Sequence, residues 1–404
     1  MNTYHRLKIK IQQQPYLWVC FAMIVGVMGT ALASPLYPLY QQAWSLSAGD
    51  ITLLFVVYMF SALSSLLFLG RISDQRGFIV VLRGGLISIT IGIILSAIAW
   101  DYWSFMLSRI LIGLASSLIV TSASIGLTRL NRSKDLQRAA ATTSLLIAFG
   151  FGLGPVIGGL IAQWAHFPLQ SSYIPSMLMG LIAIFALFML SAQDYKPTNP
   201  PKQKAFWRPS LAIPAGAARA PFLLGCMAAF TAFSMFSLFA SLAPSFMRDM
   251  VPWHGPAVSG LSIGIILFMS SGFQLLVRQW PLKRSLLIGL ACFSLSNLLL
   301  VANLWHASVL LFSASVLLIA MGHGLSLISG MGIVNRLALP EQRSATTSSY
   351  LIIAYLGAIL PILAIGYLAD QFGMQTALTA FCFSICSLSL ALFFLTWRRV
   401  QLPD

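Results

Sequence analysis

Apolar and polar positions along the chain fall into long blocks, with none of the strict alternation of a half-buried strand. Windows of predominantly apolar residues recur from Pro15 to Trp397, and about 20 such residues let an α-helix cross a ~30 Å hydrocarbon core. Twelve windows are readable, at 16–40, 50–70, 79–100, 103–129, 138–164, 172–191, 219–247, 256–277, 284–303, 306–334, 344–370 and 375–396. Lipid offers the backbone no hydrogen-bond partner, so a spanning segment must be a helix or part of a closed barrel, and these runs do not alternate as barrel strands do. The pattern predicts an all-α membrane protein with twelve transmembrane helices.

Composition agrees: 58% of the 404 residues are hydrophobic and 8% charged, against roughly 25% charged in soluble domains. The formal net charge of +15 admits two explanations, a nucleic-acid-binding face or membrane topology, and its placement separates them. With a cytoplasmic N-terminus, 22 of the 24 Lys and Arg residues fall in cytoplasmic segments. They are Arg6, Lys8 and Lys10; Arg71, Arg76 and Arg83; Arg129, Arg132, Lys134 and Arg138; Lys196, Lys202, Lys204, Arg208 and Arg219; Arg278, Lys283 and Arg284; Arg336 and Arg343; Arg398 and Arg399. Arg248 falls outside and Arg109 lies within the fourth span. This is the positive-inside bias of a multi-pass protein. It predicts a bacterial-type inner membrane with both termini cytoplasmic, lipid as surroundings and no nucleic-acid partner. Nine of the ten Trp residues sit near span ends, Trp207 being the exception, where amphipathic rings prefer the interface. The five cysteines lie in apolar spans without metal-ligand company and read as small buried hydrophobes. No metal site is predicted.

The basic start, apolar run and Ala31-Leu32-Ala33 imitate a cleavable secretory signal. The run exceeds a signal core, Pro35 and Pro38 follow closely, and its removal would leave eleven spans with an inverted charge bias. The segment is expected to stay as span one.

The longest polar stretch, Ala192 to Ala218, reads as a flexible cytoplasmic linker near the midpoint. Across it the chain repeats itself: Gln137-Arg138-Ala139-Ala140-Ala141-Thr142-Thr143-Ser144 resembles Gln342-Arg343-Ser344-Ala345-Thr346-Thr347-Ser348. Both precede a Gly-containing helix with a proline, 17 positions from Arg138 to Pro155 and 18 from Arg343 to Pro361. The expected division is an N-terminal six-helix bundle at 1–191, a linker at 192–218 and a C-terminal six-helix bundle at 219–404. Repeats of this kind suit alternating access around a site near the bilayer midplane.

Four motifs carry a family resemblance. The loop after span two reads Gly70-Arg71-Ile72-Ser73-Asp74-Gln75-Arg76-Gly77, with a glycine, an aspartate four later and a glycine three after that. Span five holds Gly150, then Gly154-Pro155, then Gly158-Gly159, at the spacing Gly, three residues, Gly-Pro, two residues, Gly-Gly. Span one carries Gly29 followed by Pro35 and Pro38, and span four carries Arg109 with Gly113 four later. Together these resemble the major facilitator superfamily, and within it the twelve-span drug:proton antiporters. The resemblance implies two pseudo-symmetric six-helix bundles, a proton gradient and no other cofactor, and a chain that works as a monomer. It makes Asp74 a candidate latch toward the start of span eleven, around Arg343 and Ser344. Two departures stand: Phe78 and Ile79 replace the basic residues usual after the second glycine, with Arg83 later, and Ile112 replaces a glutamine before Gly113.

A proton antiporter needs a titratable group exposed to both sides in turn, yet none of the nine Asp and Glu residues falls within a span's middle. Asp50 opens span two, where it is either a coupling carboxylate or, in Ser47-Ala48-Gly49-Asp50, part of a capping box. His323 is the sole histidine deep in a span. Its ordinary pKa of about 6.5 suits proton exchange, flanking glycines leave room for a ligand, and the alternative is a packing hydrogen bond between helices. Arg109 costs roughly 2.5 to 3.5 kcal/mol at a helix centre, which favours an interior, coupling role. It also stands six residues past Trp103, about 9 Å at 1.5 Å per residue, near enough to snorkel outward.

The resemblance places substrate contacts on spans one, four, seven and ten, giving Thr30, Ser34, Tyr37, Arg109, Thr231, Ser234, His323 and Ser326 as cavity candidates. Each hydroxyl could instead bond its own helix backbone. Phe230, Phe233, Phe236 and Phe239 either line an apolar cavity or face lipid. The expected function is export of a small amphipathic or organic compound against protons, sparse buried charge arguing against a polyanionic substrate. The alternative is proton-coupled uptake of a sugar or organic acid. An enzyme is not expected, since no paired carboxylates, metal-ligand cluster or nucleophile with its base is apparent.

Overall fold

A computed structural model describes residues 11–131, 135–195, 209–247, 250–253 and 255–398. Arg6, Lys8, Lys10, Arg132, Lys134, Arg208, Arg248 and Arg399, and the lysines of the central linker, lie outside them. Twelve helical spans are long and apolar enough to cross a membrane: α1 Pro15–Trp44, α2 Ala48–Leu69, α3 Phe78–Ala97, α4 Tyr102–Leu130, α5 Ala139–Trp164, α6 Pro168–Met189, α7 Gly216–Ser241, α8 Pro256–Leu276, α9 Leu282–His306, α10 Val309–Leu337, α11 Arg343–Phe372 and α12 Met374–Arg398. No strand occurs among the described residues. The expected twelve spans and all-α fold are present.

Two of the boundaries that differ from expectation do so because of proline. Span one runs on to Trp44, but as a helix Pro15–Ala31, a 3-10 turn Ser34–Leu36 and a second helix Tyr37–Trp44. Pro35 and Pro38 donate no backbone N–H, so the α-helical ladder breaks there. Span seven ends at Ser241 instead of 247, because Pro244 opens a separate turn, Ala243–Phe246. Pro155 and Pro361 lie inside the helices of α5 and α11.

Two compact units form. One comprises Met1–Ala33 with Phe60–Arg208, the other Ser34–Met59 with Pro209–Asp404. Within the first, α4 packs on α3 and on the first helix of α1, and α6 packs on α3. Within the second, α10 packs on α9 and α7, and α12 packs on α9. The same pairing in both is the pseudo-symmetry expected from the sequence repeat.

Lipid tails are as apolar as leucine, so helices gain little by burying leucine against one another and instead associate through close contact of small residues. The seam between α5 and α1 is built this way. A Cβ added at Gly150 would meet the carbonyl oxygen of Ile24, at Gly154 that of Met28, and at Gly158 that of Leu32. Three successive turns of α5 thus lie directly on the backbone of α1. In the second unit a Cβ at Gly357 of α11 would strike the carbonyl of Phe230 in α7.

Polar side chains finish the helix ends, where the last carbonyls lack intrahelical partners. Arg83 donates from Nε and Nη2 to the Leu187 carbonyl at 3.1 and 2.8 Å and from Nη2 to the Leu190 carbonyl at 2.6 Å, closing the end of α6. At the start of α4, Asp101 and Ser104 form a reciprocal capping box. The Ser104 bonds hold the Asp101 carboxyl below its ordinary range.

The seam can be tested directly. Gly154→Ala should destabilise the purified protein by about 1–3 kcal/mol, the usual cost of overpacking, seen as a lower thermal unfolding midpoint. Gly84→Ala on α3, where an added Cβ meets nothing within 4 Å, should leave the midpoint unchanged.

Candidate functional site

In the first unit, the end of the first helix of α1 and a buried cation come together. Arg109 lies two turns into α4 and is 1% exposed. Its Nη2 donates to the Thr30 carbonyl at 3.2 Å. Thr30 stands in the last turn of the helix ending at Ala31, where carbonyls carry the negative end of the helix dipole. The guanidinium therefore turns inward onto α1, and snorkelling to the interface is not what it does. Beside it, Ser108 on α4 and Ser96 on α3 pair through their hydroxyls at 2.9 Å. Gly113 is buried one turn further along α4.

Thr30 itself donates from Oγ1 to the Val27 carbonyl at 2.6 Å, so its hydroxyl is engaged by its own helix while its carbonyl serves Arg109. Asp74 is half-buried, with its N–H on the Arg71 carbonyl at 3.1 Å. A Cβ added at Gly70 would meet the Leu66 carbonyl, and Gly77 has φ +86°, a conformation glycine adopts readily.

In the second unit the polar centre is His323 on α10. Its Nδ1 lies 2.8 Å from Ser270 Oγ on α8, and Gln274 Nε2 donates to the same hydroxyl at 3.4 Å. The ring tilts against Phe236 of α7 at 5.8 Å between centroids. The expectation that flanking glycines leave room for a ligand is corrected by the packing. A Cβ at Gly322 would strike the Phe293 ring, and one at Gly324 the Ser270 carbonyl, so both glycine faces are filled by neighbouring helices. Ser270 and Gln274 had no signature in the sequence, because what singles them out is the contact to α10.

The hydroxyl candidates divide. Thr231 donates to the Ala228 carbonyl at 2.8 Å within α7. Ser234 reaches the Phe230 carbonyl at 2.8 Å and the Gly357 carbonyl of α11 at 2.9 Å, so it ties two helices together. Ser326 is fully buried one turn beyond His323, and its hydroxyl has no hydrogen-bond partner among the described residues. Ser34, on the 3-10 turn, and Tyr37 are both buried. Of the span-seven phenylalanines, Phe239 is fully buried against Phe246 and Phe312, and Phe233 faces Tyr355, so these two rings pack inside the protein.

Asp50 resolves as a cap. The Ser47 N–H donates to Asp50 Oδ2 at 3.0 Å and the Asp50 N–H to Ser47 Oγ at 3.1 Å, a capping box at the start of α2. A second carboxylate, absent from the sequence-based candidates, meets the same end: Asp370 of α11 accepts from Ser47 Oγ at 2.9 Å and from the N–H groups of Ala48 and Gly49 at 2.9 and 3.0 Å. Also unforeseen is Asn297 of α9, fully buried, donating to the Phe293 carbonyl at 2.7 Å and to Met235 sulfur at 3.4 Å.

Twelve spans in two similar bundles, with broken helices and lone polar groups deep in apolar spans, define a polytopic secondary transporter. The profile described as Major Facilitator Superfamily matches residues 19–282, and the chain belongs to that family of transporters. The quinolone resistance protein NorA of Staphylococcus aureus is 25% identical over 169 residues, 42% of each chain. The multidrug resistance protein MdtG of Salmonella arizonae is 26% identical over 175 residues, again 42% of each. The match thus spans less than half the length of either relative. Among solved structures, a bacterial homologue of the human lysosomal transporter Spinster, in an inward-facing occupied conformation, aligns at TM-score 0.72, with 15% identity, over 96% of this chain and 97% of that one. The nucleoside transporter NupG aligns at TM-score 0.74, with 13% identity, over 97% and 100%.

The histidine contact has a measurable consequence. A double-mutant cycle of His323→Ala and Ser270→Ala should return a coupling of about 0.6 kcal/mol, and not above about 1.7, the range for hydrogen bonds between membrane helices. Thermal or denaturant unfolding in detergent reads it, and zero coupling would mean that the pair does not hold α8 to α10.

Proposed function

We propose that the chain exports a small amphipathic or organic compound by proton antiport, through alternating access. The observation that carries this reading is the α5 seam. Gly150, Gly154, Pro155, Gly158 and Gly159 keep every fixed position of the antiporter motif, and the first, second and fourth of them lie directly on the carbonyls of α1. Such a seam excludes side chains, and so water and ions, along three turns of helix. A carrier that exchanges protons for substrate needs a barrier of this kind against leakage. The relatives named for quinolone and multidrug resistance support the same direction.

On this reading Arg109 and His323 carry the coupling. A cation seated on the broken end of α1 can report movement of that helix, and an imidazole can exchange a proton near neutral pH. Asp74 serves gating, and Ser326, whose buried hydroxyl has no hydrogen-bond partner among the described residues, is the favoured substrate contact among the cavity candidates. The working protein is a monomer in the inner membrane of a bacterial cell, termini inside, its functional halves being 1–191 and 219–404 joined by 192–218. The proton gradient is its energy source.

Cells expressing the chain should accumulate less of a fluoroquinolone or fluorescent amphipathic dye than control cells, and inside-out vesicles should take it up when their lumen is acidified. Accumulation inside intact cells under an inward proton gradient would overturn export in favour of uptake. Arg109→Ala should reach the membrane yet transport about fivefold or more slower, the scale of a lost coupling interaction. His323→Gln should flatten the dependence of transport rate between pH 5 and 8. Unchanged pH dependence in that variant would remove His323 from coupling.

A further inference from the structure

The end of α11 reads Gly366-Tyr367-Leu368-Ala369-Asp370-Gln371-Phe372-Gly373, the spacing of Gly70-Arg71-Ile72-Ser73-Asp74-Gln75-Arg76-Gly77 residue for residue. The backbones agree as well. Gly77 and Gly373 have φ +86° and +85°. The Gly77 N–H donates to the Ser73 carbonyl and the Gly77 carbonyl accepts from Val81, while the Gly373 N–H donates to Ala369 and its carbonyl accepts from Ala377. The first copy sits among Arg71, Arg76 and Arg83; the second carries no basic residue between Arg343 and Arg398. By charge placement the two copies therefore face opposite sides of the membrane. In α5, which stands in the first half where α11 stands in the second, Gly159 is followed by Gln163 in place of the aspartate.

Every fixed residue of the second copy has a task at α2. Gly366 allows contact, since a Cβ there would collide with Thr52. Asp370 accepts from Ser47 Oγ and from two N–H groups of the first turn, where unpaired donors and the positive end of the helix dipole attract a carboxylate. Gly373 turns the chain away. From the α2 side, Gly49 is needed in return, because its Cβ would land on the Asp370 carboxylate. Asp50 accepts from the Ser47 N–H and donates its own N–H to the Ser47 hydroxyl, whereas Asp370 accepts from the Ser47 hydroxyl and from the N–H groups of Ala48 and Gly49. Ser34–Met59 groups with Pro209–Asp404, whereas the rest of α2, from Phe60, groups with the first unit. Holding Ala48 and Gly49 therefore holds a helix that continues into the other unit.

We infer that Asp370 is a gating residue: the second copy is an outward-facing clasp that keeps the outer ends of α2 and α11 together and must release in each transport cycle. Neither the substrate nor the direction of transport enters, so failure of the export reading would leave it standing.

The test uses full-length protein in nanodiscs with Cys20→Ser, spin-labelled at Gln42→Cys and Gln375→Cys, two exposed positions flanking the clasp; the other four cysteines are buried. Electron–electron dipolar spectroscopy should give one dominant short distance in the parent. Asp370→Asn should raise the long-distance population about threefold to fivefold, the shift expected from a weakened charge–dipole contact. Gly49→Ala, which leaves both carboxylates intact, should do the same and serves if Asp370→Asn fails to fold. Asp74→Asn should not lengthen the distance. Unchanged distributions in the clasp variants, or equal lengthening by Asp74→Asn, would overturn the proposal.

Discussion

Hydrocarbon cannot hydrogen-bond, and each polar contact in this protein answers that constraint. A helix satisfies its own interior, so the demand concentrates wherever a helix stops. The first helix of α1 stops at Ala31, and Arg109 comes to the Thr30 carbonyl. α6 stops at Met189, and Arg83 covers Leu187 and Leu190. α2 begins at Ala48, and Ser47, Asp50 and Asp370 share its open N–H groups. Hydroxyls within the spans mostly fold back on their own helices, as Thr30 and Thr231 do. Charge is thus spent at helix ends, the places where a transporter's helices can bend or part.

The same solvent sets the packing. Since leucine gains nothing by leaving lipid for another leucine, contact depth must come from missing side chains. The α5 seam and the Arg109 contact meet on one helix: Thr30 lies between Met28 and Leu32, whose carbonyls receive Gly154 and Gly158. Any change that lifts α5 from α1 therefore moves the carbonyl that Arg109 holds. The seam and the polar contact are two faces of one mechanical element, α1 with its proline break.

Much of this was legible in the chain. Span number and the all-α fold follow from hydropathy, and the repeat from the Gln137 and Gln342 segments, all of which are local or periodic signals. Pairings across the chain were not legible. Ser270 lies 53 positions from His323 and Asp370 more than 300 from Ser47, and nothing in either segment alone marks its partner. Arg109 was ambiguous for a related reason: its distance from Trp103 permitted snorkelling, and only the direction its helix face takes, toward α1, settles the matter. The room supposed around His323 failed because glycine next to a polar residue has two opposite meanings. It can open a cavity or admit another helix, and here Phe293 and the Ser270 carbonyl fill the space.

The scarcity of charge also bears on recognition. Among the described residues Arg109 is the one fully buried member of the Arg, Lys, Asp and Glu set, and His323 the one buried histidine. A polyanion would need several cations to replace its hydration, and the buried spans do not supply them. An amphipathic compound asks for less, an apolar wall, an aromatic face and one or two polar contacts. In the second unit Phe236 of α7 lies against His323 of α10, while the Ser326 hydroxyl is fully buried at the α9 seam, where a Cβ on Gly289 would meet it. Under the export proposal, recognition by size and apolar contact distinguishes related ligands only weakly. Broad, shallow selectivity is what export of foreign amphipathic compounds requires, whereas uptake of one sugar would demand a ring of fixed hydrogen bonds.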